Sequence, residues 1–113
     1  MPKQENRADF ATVALWAVNL ARPLNGMDAW IAGLDAKMAE AAGAGADVLV
    51  LPEYVSEQWL SYAPDDLAPS EEIAWMADEG ELALDRLKAL AAKHNMALLA
   101  GSFPARATGA RKD

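Results

Sequence analysis

Residues 47–52 read Asp-Val-Leu-Val-Leu-Pro, a short apolar run in which polar and apolar side chains do not alternate. A run of this kind is typical of a parallel strand that is covered on both faces of its sheet. The proline at position 52 ends the run, because proline has no amide hydrogen to donate to a neighbouring strand. The segment therefore predicts a buried strand, with Glu53 directly after its carboxyl end.

Two other apolar runs predict two further strands. Residues 11–20 contain the β-branched and aromatic side chains that favour a buried strand. Residues 96–101 form the third run, which Pro104 closes. Each predicted strand is separated from the next by a helical pattern.

An amphipathic helix is predicted between the first two strands. Its apolar residues recur at intervals of three and four and form one stripe, which comprises Met27, Trp30, Ile31, Leu34 and Met38. Asn25 is the expected N-cap, and Asp28 is expected near the free amides of the first turn. Gly43 and Gly45 supply the positive-φ positions that are expected to end the helix.

The segment between the second and third strands predicts a loop followed by helices. Residues 53–69 include prolines and adjacent aspartates and predict a long irregular loop, a feature that is often functional in a compact domain. Ser70 is expected to cap a short helical turn through Met76. After Gly80 we expect a second amphipathic helix, with Asn95 as its left-handed cap. Its apolar stripe comprises Ala83, Leu84, Leu87, Leu90 and Ala91.

The order strand, helix, strand, helix, strand predicts the α/β class with a parallel sheet. Parallel strands need a crossover at each return, and here each crossover would be a helix with the usual right-handed sense. In open sheets of this kind, ligands bind beyond the carboxyl ends of the strands. The candidate site is therefore expected at residues 53–54 and 102–103.

Composition excludes several classes of protein. The chain has 113 residues, which is the size of one domain, and its formal net charge of −7 argues against binding a nucleic acid backbone. The absence of cysteine excludes a disulfide scaffold, a thiolate zinc site, an iron–sulfur cluster and a thiol nucleophile on this polypeptide. We expect no metal or other cofactor, a flexible tail at residues 1–8, one partial domain at 9–104 and a polar tail at 105–113.

The sequence also bears on the compartment. It contains no apolar run of about 18 residues, so we expect no membrane partner and a cytoplasmic protein. Lys3 and Arg7 precede an apolar run, as in a secretion signal. Glu5 and Asp9 dilute that charge and no small-x-small cleavage pattern follows, which favours a polar tail.

Glu53 is the most suggestive candidate for catalysis. Its position behind a proline at the end of an apolar strand favours partial desolvation, which suits a carboxylate to act as a general base near neutral pH. Position alone favours the alternative, a carboxylate that caps a loop or pairs with a surface cation.

Residues 46–54, Ala-Asp-Val-Leu-Val-Leu-Pro-Glu-Tyr, closely resemble the signature around the catalytic glutamate of the carbon–nitrogen hydrolase (nitrilase) superfamily. Three further features occur in the order of that family. They are a first strand leading into a helix, the Ala- and Gly-rich helix end at residues 41–46, and residues 98–104, Leu-Leu-Ala-Gly-Ser-Phe-Pro. The resemblance spans nearly the whole chain, from about residue 11 to residue 104, and implies the N-terminal part of an αββα sandwich.

The resemblance implies a Glu-Lys-Cys triad that hydrolyses a nitrile, amide or carbamoyl C–N bond. In that family the glutamate is the general base, the lysine stabilises the tetrahedral intermediate and the cysteine attacks the substrate. Only Glu53 maps onto this triad, because the chain has no cysteine and its last lysine, Lys112, lies in the polar tail. The other lysines of the predicted helices are expected to be solvated: Lys37, Lys88 and Lys93.

We therefore expect an N-terminal fragment of a hydrolase that is inactive by itself. The resemblance implies a parent that acts on small nitriles or amides as a homo-oligomer. The alternative is a non-catalytic α/β interaction module, or a pseudoenzyme that docks on a hydrolase subunit. Because half of a sandwich leaves one sheet face uncovered, we also expect exposed apolar surface and self-association.

The aromatic residues after Glu53 are further candidates. The resemblance implies that Tyr54, Trp59 and Tyr62 help to wall a substrate pocket, although an aromatic loop can equally form an interface or cover a core. His94, the only histidine, is expected to favour the carboxyl end of its helix and to have no catalytic role.

Overall fold

The computed structural model describes residues 10–106. The predicted tail at 1–8 lies outside the described residues, as do residues 107–113 of the predicted polar tail, with Lys112. Along the chain the elements are β1 (Val13–Leu15), α1 (Met27–Gly43), β2 (Val48–Val50), a 3₁₀ segment (Val55–Tyr62), a short 3₁₀ turn (Pro69–Glu71), α2 (Glu72–His94) and β3 (Ala97–Leu99).

The three strands form a parallel sheet in the order β1-β2-β3, so β2 is the middle strand. Val48 pairs with Val13 on one side and with Ala97 on the other. The pairing continues just past the strands, since Trp16 N donates to Val50 O at 3.0 Å and Leu51 N donates to Leu99 O at 2.9 Å. The predicted α/β class and parallel sheet are confirmed.

The strands are shorter than the apolar runs that predicted them, because the chain turns away from the sheet early. After β1, Arg22 N donates to Asn19 O at 3.1 Å and closes a turn. After β3, Gly101 adopts a φ of 79°, and a Cβ at this position would collide with the Pro52 carbonyl oxygen. The backbones that follow β2 and β3 therefore touch at the carboxyl edge of the sheet.

Helix α1 presents the predicted apolar stripe to the sheet. Its buried residues are Trp30, Ile31, Leu34, Met38 and Ala41. The N-cap is Gly26, so the prediction of Asn25 is wrong by one position. Gly26 takes a φ of 135°, which a residue with a side chain rarely adopts, and it lets the chain enter the helix without a side-chain cap. Gly45, with a φ of 86°, follows the helix as expected, whereas the prediction is wrong for Gly43, which is the last residue of α1 and does not have a positive φ.

Helix α2 runs without a break from Glu72 to His94, so the predicted interruption at Gly80 is wrong. A glycine inside a helix costs about 1 kcal/mol relative to alanine, yet here it has a packing role. The ring of Phe103 lies where a Cβ of residue 80 would be. The predicted end of the helix is confirmed, because Asn95 has a φ of 48° in the left-handed region.

The prediction of a long irregular loop over residues 53–69 is wrong for its middle part. Residues 55–62 form the 3₁₀ segment, in which Val55, Ser56, Gln58 and Trp59 are buried. The segment holds its shape because Trp59 is inserted into the core against Trp30, with ring centroids 5.3 Å apart in an edge-to-face arrangement.

One face of the sheet is uncovered within the described residues. Side chains alternate along the strands, so Leu49 of β2 is buried toward the helices while its neighbours point the other way. On the uncovered face, Val13, Leu15 and Leu99 are 51%, 78% and 60% exposed. The expectation that β2 is covered on both faces is wrong, and the expected exposed apolar face is present.

The Gly80 contact predicts an unusual response to substitution. Gly80→Ala is expected to lower the free energy of unfolding by about 1–3 kcal/mol, because the added methyl group overpacks against the Phe103 ring. The matched control is Gly33→Ala in α1, where nothing lies within 4 Å of the new Cβ. That change is expected to stabilise by about 0.5–1 kcal/mol. Urea unfolding followed by circular dichroism measures both, and equal stabilisation by the two changes would contradict the packing.

Candidate functional site

The backbone places Glu53 at the carboxyl edge of the middle strand. Pro52 follows β2 directly, and Tyr54 then adopts a φ of 59°, which turns the chain sharply into the 3₁₀ segment. Tyr54 N donates a hydrogen bond of 2.8 Å to the Ser102 hydroxyl oxygen. The two predicted site positions, 53–54 and 102–103, are therefore brought together as expected.

The environment of Glu53 differs from the expected one. Its side chain is exposed, so the predicted partial desolvation is not found among the described residues. Desolvation depends on what covers the carboxyl edge, and the sequence around Glu53 does not specify that. Within residues 10–106, the structure contains no ion pair or hydrogen bond from Glu53 to a lysine.

The lysines of the two helices occupy surface positions, as expected. Lys93 Nζ lies 2.8 Å from Asp35 Oδ2, and Lys37 Nζ lies 3.2 Å from Glu40 Oε2. Lys88 is an exposed residue of α2.

The three aromatic candidates occupy three different environments. Tyr54 is 65% exposed, whereas Trp59 has no exposed surface and belongs to the core. Tyr62 is half-buried against Trp75, and its hydroxyl donates a 2.7 Å hydrogen bond to Glu79 Oε2. Burial, together with the neighbouring Glu79 carboxylate, raises the pKa of the Tyr62 phenol above its usual range. The described chain therefore does not gather the three rings into one pocket wall.

A cavity of about 320 Å³ lies next to Glu53 along the chain, at the carboxyl edge of the sheet. It is lined by Tyr54, Ser56, Glu57, Ile73, Met76, Ser102, Phe103 and Pro104. Mostly apolar walls with a few hydroxyl groups are the usual composition of a small-molecule pocket. We call this space the carboxyl-edge cavity.

Only part of this cavity was predictable from the sequence. Tyr54, Ser102 and Phe103 were expected from their positions after the strands. Ile73 and Met76 come from the start of α2, and no local pattern in the sequence places that turn near the sheet edge. Glu57 belongs to the 3₁₀ segment, which the sequence predicted as part of an irregular loop, so its place in the cavity wall was not predicted.

Asp35 of α1 joins the two helices, because its carboxylate binds Lys93 and His94 in the last turn of α2. His94 Nε2 lies 2.6 Å from Asp35 Oδ1, and Lys93 binds the other carboxylate oxygen. The hydrogen bond from Lys93, followed by that from His94, holds the pKa of Asp35 below its usual value. His94 is at the helix end as predicted, but its partner on α1 was not predicted. No group of three or more His, Asp or Glu side chains within residues 10–106 could hold a metal ion.

Comparison of the chain with family models, curated proteins and solved structures finds no match. The resemblance to carbon–nitrogen hydrolases therefore stays a prediction. In the part of the chain that the structure describes, no helix has the length and apolarity to cross a membrane.

The Asp35 contacts predict a pH-dependent contribution to stability. A carboxyl whose pKa is lowered by folding stabilises the protein above its unfolded value of 3.8, and this contribution is lost as the pH falls through the folded value. Asp35→Asn is expected to lower the free energy of unfolding at pH 7, and its difference from the wild type should shrink below about pH 4.

Urea unfolding at a series of pH values checks this expectation. The matched control is Asp85→Asn, since Asp85 is an exposed carboxylate of α2. A difference between Asp35→Asn and the wild type that stays constant from pH 7 to pH 3 would show that the charge of Asp35 contributes nothing.

Proposed function

We propose that this chain is the N-terminal part of a carbon–nitrogen hydrolase, in which Glu53 is the general base for a cysteine carried by other polypeptide. The observation that carries the proposal is the placement of Glu53. It follows the middle strand of a parallel sheet, at the edge where the ends of β2 and β3 meet. Ligands of open α/β sheets bind at such edges.

The chemistry requires a base at this position. A free thiol has a pKa of about 8.5, so it needs a base and a nearby cation to act as a thiolate near neutral pH. Glu53 is exposed in the described chain and so has room to meet such a thiol. Polypeptide that brought the cysteine and the lysine would also exclude water, which strengthens a carboxylate as a base.

The uncovered sheet face supports the same proposal. Parallel sheets are normally covered on both faces, yet here the helices lie on one face and apolar side chains are exposed on the other. A second sheet stacked on Val13, Leu15 and Leu99 would complete an αββα sandwich. For the parent we further propose a cytoplasmic location, and the resemblance implies that it is a homo-oligomer.

The carboxyl-edge cavity suits the substrates that this chemistry implies. Its apolar residues would hold the body of a small nitrile or amide, and the hydroxyl groups of Ser56 and Ser102 are polar groups at its wall. Tyr54 belongs to this wall. Trp59 packs from the core against Phe103 of this wall, with ring centroids 5.4 Å apart, whereas Tyr62 does not line the cavity and bonds to Glu79.

The proposal predicts where activity is found. The 113-residue chain should release no ammonia from benzonitrile or benzamide above the uncatalysed rate, because the nucleophile is missing. Reading the gene beyond codon 113 should reveal an in-frame continuation with a cysteine, and the longer protein should hydrolyse such substrates. In that protein Glu53→Gln is expected to lower kcat at least about 100-fold.

The control for this experiment is Glu81→Gln, which removes an exposed carboxylate from α2 and should leave kcat unchanged. Hydrolysis by the 113-residue chain that disappears in Glu53→Gln would contradict the proposed division of the triad.

A second candidate function is a non-catalytic module that docks on a hydrolase subunit through the uncovered sheet face. The exposed apolar side chains of that face favour it. Leu15→Glu places a charge on the exposed patch, at the end of the edge strand β1, and should abolish docking, or self-association, measured by sedimentation velocity. Leu82→Glu is the matched control, because Leu82 is 65% exposed on α2. Equal effects of the two changes would contradict docking through the sheet.

A further inference from the structure

A second cavity, of about 450 Å³, lies between the end of β1 and the start of α1. It shares no lining residue with the carboxyl-edge cavity. Its walls come from residues 16–25, from the first turns of α1 and from Gln58 of the 3₁₀ segment. We call it the β1–α1 cavity.

One buried polar side chain in its wall has hydrogen-bonding capacity to spare. Gln58 is 5% exposed, and its Nε2 donates a 3.1 Å hydrogen bond to Arg22 O. The amide oxygen of Gln58 is therefore the end left to accept a hydrogen bond. Buried polar groups in native proteins are normally paired, so an unused acceptor in a cavity wall indicates a missing partner.

The charges around the cavity favour an anion. The chain carries a net charge of −7, yet Arg22 lines this cavity and no acidic residue does. The first turn of α1 borders the cavity through Ala29. Asp28, the acidic residue of that turn, is bound by Arg86 at 2.5 Å.

The remaining walls are apolar and partly aromatic. Trp16, Val18, Leu24 and Trp30 all line the cavity. Flat aromatic rings next to a cation suit a ligand that has an apolar body and one anionic end. The Lys37 ammonium lies 5.3 Å from the centroid of the Trp16 ring, but it also pairs with Glu40, so Arg22 is the cation that this wall offers to a ligand.

We propose that the β1–α1 cavity binds a small carboxylate with an aromatic body and a hydrogen-bond donor such as an amide N–H. The carboxylate pairs with Arg22, and the apolar body lies against Trp16. The ligand N–H donates to the amide oxygen of Gln58. This site is independent of the proposed hydrolase chemistry, since Glu53 does not line the cavity.

Hippurate tests the proposal, because it combines a phenyl ring, an amide N–H and a carboxylate. Hippurate is titrated into the ¹⁵N-labelled chain, and the indole signal of Trp30 is assigned from its loss in Trp30→Phe. The expected result is a saturable shift of that signal with a Kd on the order of 1 mM, as for a ligand of this size. Methyl hippurate, which lacks the charge, should bind about tenfold more weakly.

Two variants test the role of the cation. Arg22→Gln removes the charge from an exposed side chain and should raise the Kd for hippurate about tenfold, while leaving the affinity for methyl hippurate unchanged. Lys88→Gln, which removes an exposed positive charge from α2, should leave both affinities unchanged. The absence of a saturable shift, equal affinities for hippurate and its ester, or an unchanged Kd in Arg22→Gln would each overturn the proposal.

Discussion

The structure depends on the burial of Trp59, in the segment that follows β2. Its ring packs against Trp30 of α1, with centroids 5.3 Å apart, and against Phe103, which follows β3, at 5.4 Å. An aromatic side chain buries roughly 150–250 Å², so its burial stabilises by about 4–6 kcal/mol before the cost of ordering. This contact determines the path of the 3₁₀ segment that follows Glu53 and joins the end of β2 to the helices.

Phe103 extends the same packing to α2, because its ring lies against Gly80. One continuous set of aromatic contacts thus joins both helices to the chain that follows β2 and β3. The two cavities border on opposite ends of this set, since Phe103 lines the carboxyl-edge cavity and Trp30 lines the β1–α1 cavity. A change at Trp59 would disturb both, even though its own side chain is fully buried.

The sequence predicted what local rules determine and missed what distant contacts determine. The stripe of α1 and the left-handed Asn95 follow from spacing and from residue type, and both are found. The break at Gly80 and the irregular loop were wrong, because the partners of Gly80 and Trp59 lie far away in the sequence. The position of Glu53 was predictable from the strand before it. Its exposure was not, since exposure depends on how distant parts of the fold pack around the sheet edge, which the residues next to Glu53 do not specify.

The size of the uncovered face bears on what could cover it. Three strands about 4.8 Å apart, each with a rise of about 3.3 Å per residue over the paired positions, present a patch of roughly 100–150 Å². A stable interface buries about 800 Å² on each partner, so this patch alone is too small to hold two copies of the chain together. Whatever covers Leu15 and Leu99 must also contact the sheet edges or the chain beyond them. A partner of the size of a second sheet layer would meet this requirement, because its strands and connections would reach beyond the three paired positions of each strand.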